Sequence, residues 1–126
     1  MKPVANLVHV DNVEESISWY KHAFIGAVER NIDGFVILDL NGFSIEIVPA
    51  DEKVNSGKSG SVTYWSVENL NSEITRFKGL GSNVYRGPME IENGFGMCQV
   101  TDPSGNLIGL RGPFNKFSQA GINSSS

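Results

Sequence analysis

VDNVEESISWYK at residues 10–21 and VENLNSEITRFK at residues 67–78 are two versions of one pattern, 57 residues apart. Valine, asparagine, isoleucine and lysine recur at matching places, an acid matches an acid, and tyrosine matches phenylalanine. Further on, GFSIEI at residues 42–47 lies over GNLIGL at residues 105–110. Chance similarity between two amphipathic segments is the alternative, but the same order of predicted elements follows both copies. The pattern therefore predicts an internal repeat of one supersecondary unit.

Each copy predicts the start of a helix. Asn12 and Asn69 can accept hydrogen bonds from the free backbone N–H groups of a first helical turn. Apolar residues then recur at spacings of three and four, as on one face of a helix. They are Val13, Ile17, Tyr20 and Phe24 in the first copy, and Leu70, Ile74, Phe77 and Leu80 in the second. Gly26 and Gly81 follow where a left-handed helix terminus favours glycine.

Alternating apolar residues and turn signals predict strands on both sides of each helix. The pair NG at residues 41–42 is a strong hairpin signal, and NG at 93–94 and DPSG at 102–105 mark two more turns. The predicted strands are Ala5–Val10, Phe35–Leu40, Phe43–Val48, Ser61–Val67, Met89–Ile91, Phe95–Val100 and Leu107–Arg111.

The predicted fold class is α+β, with two β-α-β-β-β modules that form a cupped eight-stranded mixed sheet and carry their helices on its convex side. One module alone would leave a sheet face uncovered, so residues 1–126 are predicted to form a single domain. Its parts are a first module at about 4–49, a linker at 51–60, a second module at about 61–111 and a polar tail at 115–126.

The composition of the chain argues against some classes of binding partner. Hydrophobic residues make up 40% and charged residues 19% of the 126, as is ordinary for a globular protein. The net charge of -4 and the lack of a basic run argue against nucleic acid. No stretch of sequence approaches the ~18 apolar residues of a membrane helix, and no signal peptide is expected. With its single cysteine, Cys98, the sequence predicts a cytoplasmic protein with no membrane partner.

The two modules, with VDNVEESISWY at residues 10–20 and VTDPSGNLIGL at residues 100–110, resemble the vicinal oxygen chelate superfamily. That group contains glyoxalase I, extradiol dioxygenases, fosfomycin resistance proteins and bleomycin resistance proteins. The resemblance covers about residues 4–111, and its most specific piece is the DPSGN turn at 102–106. Members commonly dimerise, so the resemblance implies a homodimer. It leaves open whether modules pair within one chain or between chains.

Family enzymes generally carry a divalent metal on four positions, one in the first and one in the last strand of each module. The resemblance places these positions at Ala5, Glu46, Val62 and Gly109. Glu46 alone has a donor atom among them, and divalent metal sites need N, O or S ligands. His9 lies about 13 Å along the strand from Ala5, too far to complete such a site. The resemblance therefore implies no metal and no cofactor, as in the metal-free, drug-binding members of the bleomycin resistance type.

Strand alternation predicts which side chains line the cup, and they form a mostly apolar surface with a few polar groups, as small-molecule pockets do. The predicted ligand-binding residues are Leu7, His9, Glu46, Val62, Tyr64, Phe95, Met97, Gln99, Leu107 and Arg111. Glu46 is predicted to be the one acid on this face.

Several of these residues allow more than one interpretation. Tyr64 could stack on a planar ligand or fill space with its hydroxyl paired. Glu46 could act as a general base, recognise a cationic group or pair with Arg111, and Arg111 could anchor an anion or be an ordinary surface arginine. Cys98 is expected to be a buried small hydrophobe, not a nucleophile.

Two functions compete on this basis. The first is metal-independent binding of a small organic, partly planar molecule, which would serve sequestration or resistance. The alternative is a lyase or isomerase in which Glu46, the one candidate catalytic residue, acts as general base. A structural or regulatory subunit with a filled cup is a third interpretation. The sequence leaves the ligand unnamed.

Overall fold

The computed structural model describes residues 3–58 and 60–117, and the chain forms two compact units. Among the described residues, the first comprises those up to Gly57 together with Ser104–Asn106, and the second comprises those of Lys58–Pro103 and 107–117. We call these units the first and second modules. Each has one helix and four strands in the predicted β-α-β-β-β order. The predicted tail lies outside the described residues from position 118 onward.

The first module contains five elements, which are β1 (Ala5–Val10), α1 (Val13–Ala23), β2 (Val28–Ile32), β3 (Phe35–Leu40) and β4 (Phe43–Pro49). Its sheet has the order β1-β4-β3-β2, with β1 parallel to β4 and the other pairs antiparallel. Asn41 and Gly42 have φ values of +53° and +91°, both in the left-handed region that a two-residue type I′ hairpin requires. The predicted Asn-Gly hairpin is therefore confirmed.

Helix α1 covers one face of this sheet. It begins where the Asn12 side chain accepts a hydrogen bond from the Glu15 backbone N–H at 3.0 Å, as the cap pattern predicts. The rings of Tyr20 and Phe24 stack with centroids 5.5 Å apart. Between helix and sheet lie the buried side chains of the module, which include Val8, Val10, Tyr20, Ala23, Phe24, Leu38, Ile45 and Ile47.

Ser104–Asn106, the last three residues of the turn that best marks the family resemblance, belong to the first module. Ser104 Oγ accepts a hydrogen bond from the Asp11 backbone N–H at 3.0 Å. Asn106 donates from Nδ2 to the His9 carbonyl at 2.8 Å, and its Oδ1 accepts from the Gly57 N–H at 2.8 Å. These bonds attach the turn to the end of β1 and to the linker, which explains why Ser and Asn stand at these places.

The second module contains β5 (Tyr64–Ser66), α2 (Leu70–Gly79), β6 (Val84–Glu92), β7 (Phe95–Thr101) and β8 (Leu107–Pro113). Its sheet repeats the first, with the order β5-β8-β7-β6 and a parallel β5–β8 pair. The Asn69 side chain accepts from the Ser72 N–H at 3.0 Å and starts α2. Gly81, just beyond the helix, has a φ of +92°, as its predicted place at a helix terminus requires.

One face of the second sheet is buried under α2. The buried apolar side chains are Leu70, Ile74 and Phe77 of the helix and Cys98, Val100, Ile108 and Leu110 of the sheet. Burial raises the pKa of the Cys98 thiol to about 11, so the thiol is protonated at neutral pH. Cys98 is therefore a small apolar core residue, as the sequence indicates.

Three strands differ from the sequence prediction by more than two residues. Strand β5 has three residues where seven were predicted, from Ser61 to Val67. Strand β6 runs over nine residues where only Met89–Ile91 was predicted, and β2 was not located at all. All five residues of β2 are exposed, so no apolar alternation marks it. Gly87-Pro88 interrupts the pattern of β6, which tolerates a proline because it lies at the edge of its sheet.

The helices α1 and α2 have 11 and 10 residues. Within residues 3–58 and 60–117, no helix is long and apolar enough to cross a membrane.

Candidate functional site

The two sheets place Glu46 and Gly109 at equivalent positions. Leu7 of β1 is the register partner of Glu46 in β4, and Tyr64 of β5 is the register partner of Gly109 in β8. Leu7 and Tyr64 are 57 residues apart, which is the offset of the sequence repeat. The strand pairing therefore reproduces the internal repeat residue by residue.

These positions lie on the face of each sheet that is turned away from its helix, because their neighbours along each strand are buried under the helix. We call this face the distal face. On the first sheet it includes Ala5, Leu7, His9, Ser44, Glu46 and Val48. On the second sheet it includes Tyr64, Phe95, Met97, Gln99, Leu107, Gly109 and Arg111.

All but one of the predicted ligand-binding residues lie on a distal face. The first sheet carries Leu7, His9 and Glu46, and the second carries Tyr64, Phe95, Met97, Gln99, Leu107 and Arg111. Val62 differs, because β5 begins only at Tyr64 and Val62 lies half-buried in the preceding loop.

Glu46 lies in the middle of the first distal face. Its register partners are Leu7 in β1 and Ile37 in β3, so aliphatic side chains flank it on both sides. The carboxylate Oε2 accepts a hydrogen bond from Ser44 Oγ at 3.4 Å. The side chain is half-buried, so it stays accessible to a ligand or a proton.

A charged pair on the same face was missed by the sequence reasoning. Asp39 is the register partner of Ser44, and Arg30 is the register partner of Ile37. Arg30 donates from Nε and Nη2 to Asp39 Oδ2 at 3.3 Å. Glu46 is thus not the one acid on this face. Alternation along the predicted strand Phe35–Leu40 already contained the signal, because it places Asp39 on the face opposite to buried Leu38.

Tyr64 lies flat against the backbone of Gly109. A Cβ atom added at Gly109 would come within 2.5, 2.6 and 2.8 Å of ring atoms Cδ2, Cγ and Cε2. The ring therefore occupies the space that a side chain at position 109 would need. Glycine inside a strand often marks such a close approach, so the sequence did carry a signal for it.

The Tyr64 ring has two further contacts, one at its hydroxyl and one with a guanidinium over the ring. Gln99 donates from Nε2 to Tyr64 Oη at 2.7 Å. The guanidinium carbon of Arg111 lies over the ring, 4.2 Å from its centroid, in a cation–π contact. Gly109 and Arg111 of β8 thus both contact the Tyr64 ring on the distal face.

The residues at the four family metal positions do not fit a divalent ion. Ala5, Val62 and Gly109 have no donor atom in their side chains, and the Tyr64 ring fills the space beside Gly109. One carboxylate, Glu46, cannot replace a set of three or four ligands. In the part of the chain that the structure describes, no three His, Cys, Asp or Glu side chains lie together as metal ligands.

A depression of about 530 Å³ lies elsewhere on the second module, between the end of α2 and the start of β6. Lys78, Ser82, Asn83, Val84 and Gly87 line it. Ser82 is buried there and donates from Oγ to the Thr101 carbonyl at 2.6 Å, which is a structural bond. None of the predicted ligand-binding residues lines this depression.

Residues 4–110 match the family model of the Glyoxalase/Bleomycin resistance protein/Dioxygenase superfamily. No curated protein matches the chain.

Similar folds occur in several solved structures. Protein ATC0852 from Agrobacterium tumefaciens matches with a TM-score of 0.73 at 21% identity, covering 90% of this chain and 98% of that one. A glyoxalase-related enzyme from Fulvimarina pelagi matches at 0.71 and 17%, covering 91% and 88%. TnmS3, an antibiotic binding protein from Streptomyces sp. CB03234, matches at 0.70 and 18%, covering 90% and 96%. At these identities the matches establish the fold alone.

Proposed function

Because the chain belongs to the glyoxalase/bleomycin resistance protein/dioxygenase superfamily, we propose that it binds a small, partly planar organic molecule without a metal ion. The observation that carries this proposal is the Tyr64 ring, which lies where a side chain at position 109 would begin. An aromatic ring thus takes the space beside a position that holds a metal ligand in the family's enzymes. Position 109 therefore lacks a donor atom, and the Tyr64 ring beside it, with the Arg111 guanidinium, adds a surface that a planar molecule can contact.

The distal face of the second sheet is suited to such a ligand. Tyr64, Phe95 and Met97 are half-buried, so each is supported by its neighbours and still presents part of its side chain. Gln99 and Arg111 supply polar groups beside them. Small-molecule sites combine apolar and aromatic surface with a few fixed polar groups in this way. An aromatic pair adds about 0.5–1.5 kcal/mol beyond the burial of its area.

We also propose that binding sequesters the ligand, as in antibiotic resistance by drug binding. The antibiotic binding protein TnmS3, at 18% identity, supports this because it has the same fold over 90% of the chain. We also propose that the protein forms a homodimer and is cytoplasmic, as the sequence predicts.

Binding is tested by calorimetric titration with fused-ring aromatic compounds, including 2-naphthoate and 2-naphthamide. We expect at least one compound to bind, and Tyr64→Ala to weaken its affinity at least tenfold, because the variant loses the ring that supports the ligand. A tenfold loss corresponds to about 1.4 kcal/mol. Tyr85→Ala is the matched control, since Tyr85 is 51% exposed and is not among the predicted ligand-binding residues. Unchanged affinity in Tyr64→Ala, or no binding by any compound, would refute the proposal.

The second candidate function is a lyase or isomerase with Glu46 as general base, and the placement of Glu46 favours it. Ser44 Oγ lies 3.4 Å from the carboxylate, and Leu7 and Ile37 flank Glu46 on the distal face. A positioned carboxylate can take a proton from a bound substrate. Analysis of the compound recovered after titration separates the two functions. A binding protein returns it unchanged, whereas an enzyme converts it and Glu46→Gln stops the conversion.

A further inference from the structure

Arg111 contacts the Tyr64 ring on the second distal face. Its register partners are Ser66 in β5 and Met97 in β7, which places it in the middle of the sheet. Its guanidinium carbon lies 4.2 Å from the centroid of the Tyr64 ring. Tyr64 is itself fixed by Gly109 beneath and by Gln99 at the hydroxyl. Arg111 is exposed, and its guanidinium lies over the Tyr64 ring.

No acid neutralises Arg111 among the described residues of the second module. The ion pairs of that module join Arg76 to Glu73 and Lys116 to Glu90. Arg30 of the first module, in contrast, pairs with Asp39 on its own sheet. A guanidinium has five N–H donors in a planar fork, and the ring contact of Arg111 uses none of them. These donors can therefore serve a ligand.

The surroundings of Arg111 also favour an anion. Arg86 of β6 is the register partner of Gln99, so a second cationic side chain stands at the other side of the Tyr64–Gln99 pair. The Tyr64 hydroxyl accepts from Gln99 and keeps its own O–H to donate. The acid in register with this face, Glu92 of β6, is the register partner of Phe95 and so lies at the hairpin end of the sheet. Cationic and donor groups thus surround the Tyr64 ring.

We propose that the ligand of this face is a planar carboxylate, bound by the Arg111 guanidinium through two parallel N–H donors. Tyr64 is the positioning residue, because its ring contacts the Arg111 guanidinium and orients it. This inference rests on the proposed binding function and names the ligand class. The geometry suits a carboxylate attached to an aromatic ring, since the planar fork matches the two carboxylate oxygens and can lie in the plane of the ring system.

The test compares 2-naphthoate with 2-naphthamide by calorimetric titration of the full chain at neutral pH and low salt. The two probes have the same ring system and nearly the same shape, but only the first is an anion. We expect the naphthoate to bind the parent protein at least tenfold more tightly than the amide. In Arg111→Met we expect the two affinities to agree within about twofold, since the charged partner is gone.

Two further variants separate a specific contact from a change in overall charge. Lys116→Met removes one positive charge from the same module and should keep the preference for naphthoate, because Lys116 pairs with Glu90. Arg111→Lys keeps the charge without the planar fork and should retain only part of the preference. Thermal unfolding of each variant establishes that it is folded before titration.

The possible results are distinct. Equal binding of naphthoate and naphthamide by the parent would overturn the carboxylate inference and leave the binding function standing. A preference that persists in Arg111→Met, or that disappears equally in Lys116→Met, would overturn it too. Failure of every aromatic compound to bind would refute the binding function and this inference together.

Discussion

At two positions of the second sheet, a glycine lets an aromatic ring pack directly against the strand backbone. Gly109 lies under the Tyr64 ring, and a Cβ atom at Gly96 would come within 2.7 Å of the Phe114 ring. Both are strand positions at which any larger residue would displace an aromatic ring. Of the two interpretations that the sequence left open for Tyr64, the paired hydroxyl is now established, and stacking on a ligand stays a prediction.

Gly109→Ala should destabilise the protein by about 1–3 kcal/mol, because the new methyl group overlaps the Tyr64 ring. In a Tyr64→Ala background the same substitution should cost little, since the ring is gone. Chemical denaturation of the four proteins in this double-mutant cycle measures the coupling.

Gly79→Ala is the control for this cycle. Gly79 lies in α2 and nothing stands within 4 Å of its added Cβ, so alanine there should be neutral or stabilising by about 0.5–1 kcal/mol. An equal cost of Gly109→Ala with and without the Tyr64 ring would show that the ring does not occupy that space.

At the scale of secondary-structure elements, the local sequence predicted the helices more accurately than the strands. Both helices begin at the predicted asparagines, because an N-cap depends only on residues within one turn. The strands β2 and β6 were missed or shortened for physical reasons. Strand β2 buries nothing, and β6 contains Gly87-Pro88 together with three shifts of register against β7. Bulges of this kind break the period of two on which strand prediction depends.

Asn12→Ala and Asn69→Ala should each lower the free energy of unfolding by about 1 kcal/mol, because each leaves a backbone N–H of a first turn without its acceptor. Asn12→Asp and Asn69→Asp keep an acceptor oxygen and should stay near the parent. Urea denaturation followed by circular dichroism measures all four variants. Alanine variants as stable as the aspartate variants would show that these caps contribute nothing.

At the scale of the whole molecule, the repeat and the faces of most strands could be predicted, and the details of the candidate site could not. Alternation placed Leu7, Glu46 and Met97 on the face turned away from the helices. The layering of Arg111 over Tyr64 depends on which residues become neighbours across strands, which a single sequence does not specify. The lack of donor atoms at three family metal positions was readable from residue type alone.

Metal-independent binding is the central claim, and one titration tests it most directly. The fused-ring compound that binds most tightly is titrated into protein treated with EDTA, and again after Zn²⁺, Mn²⁺ or Ni²⁺ is added back. We expect dissociation constants that agree within about twofold, because Ala5, Val62 and Gly109 offer no ligand atoms to an ion. Binding that is lost on chelation and restored by one of these metals would contradict the claim.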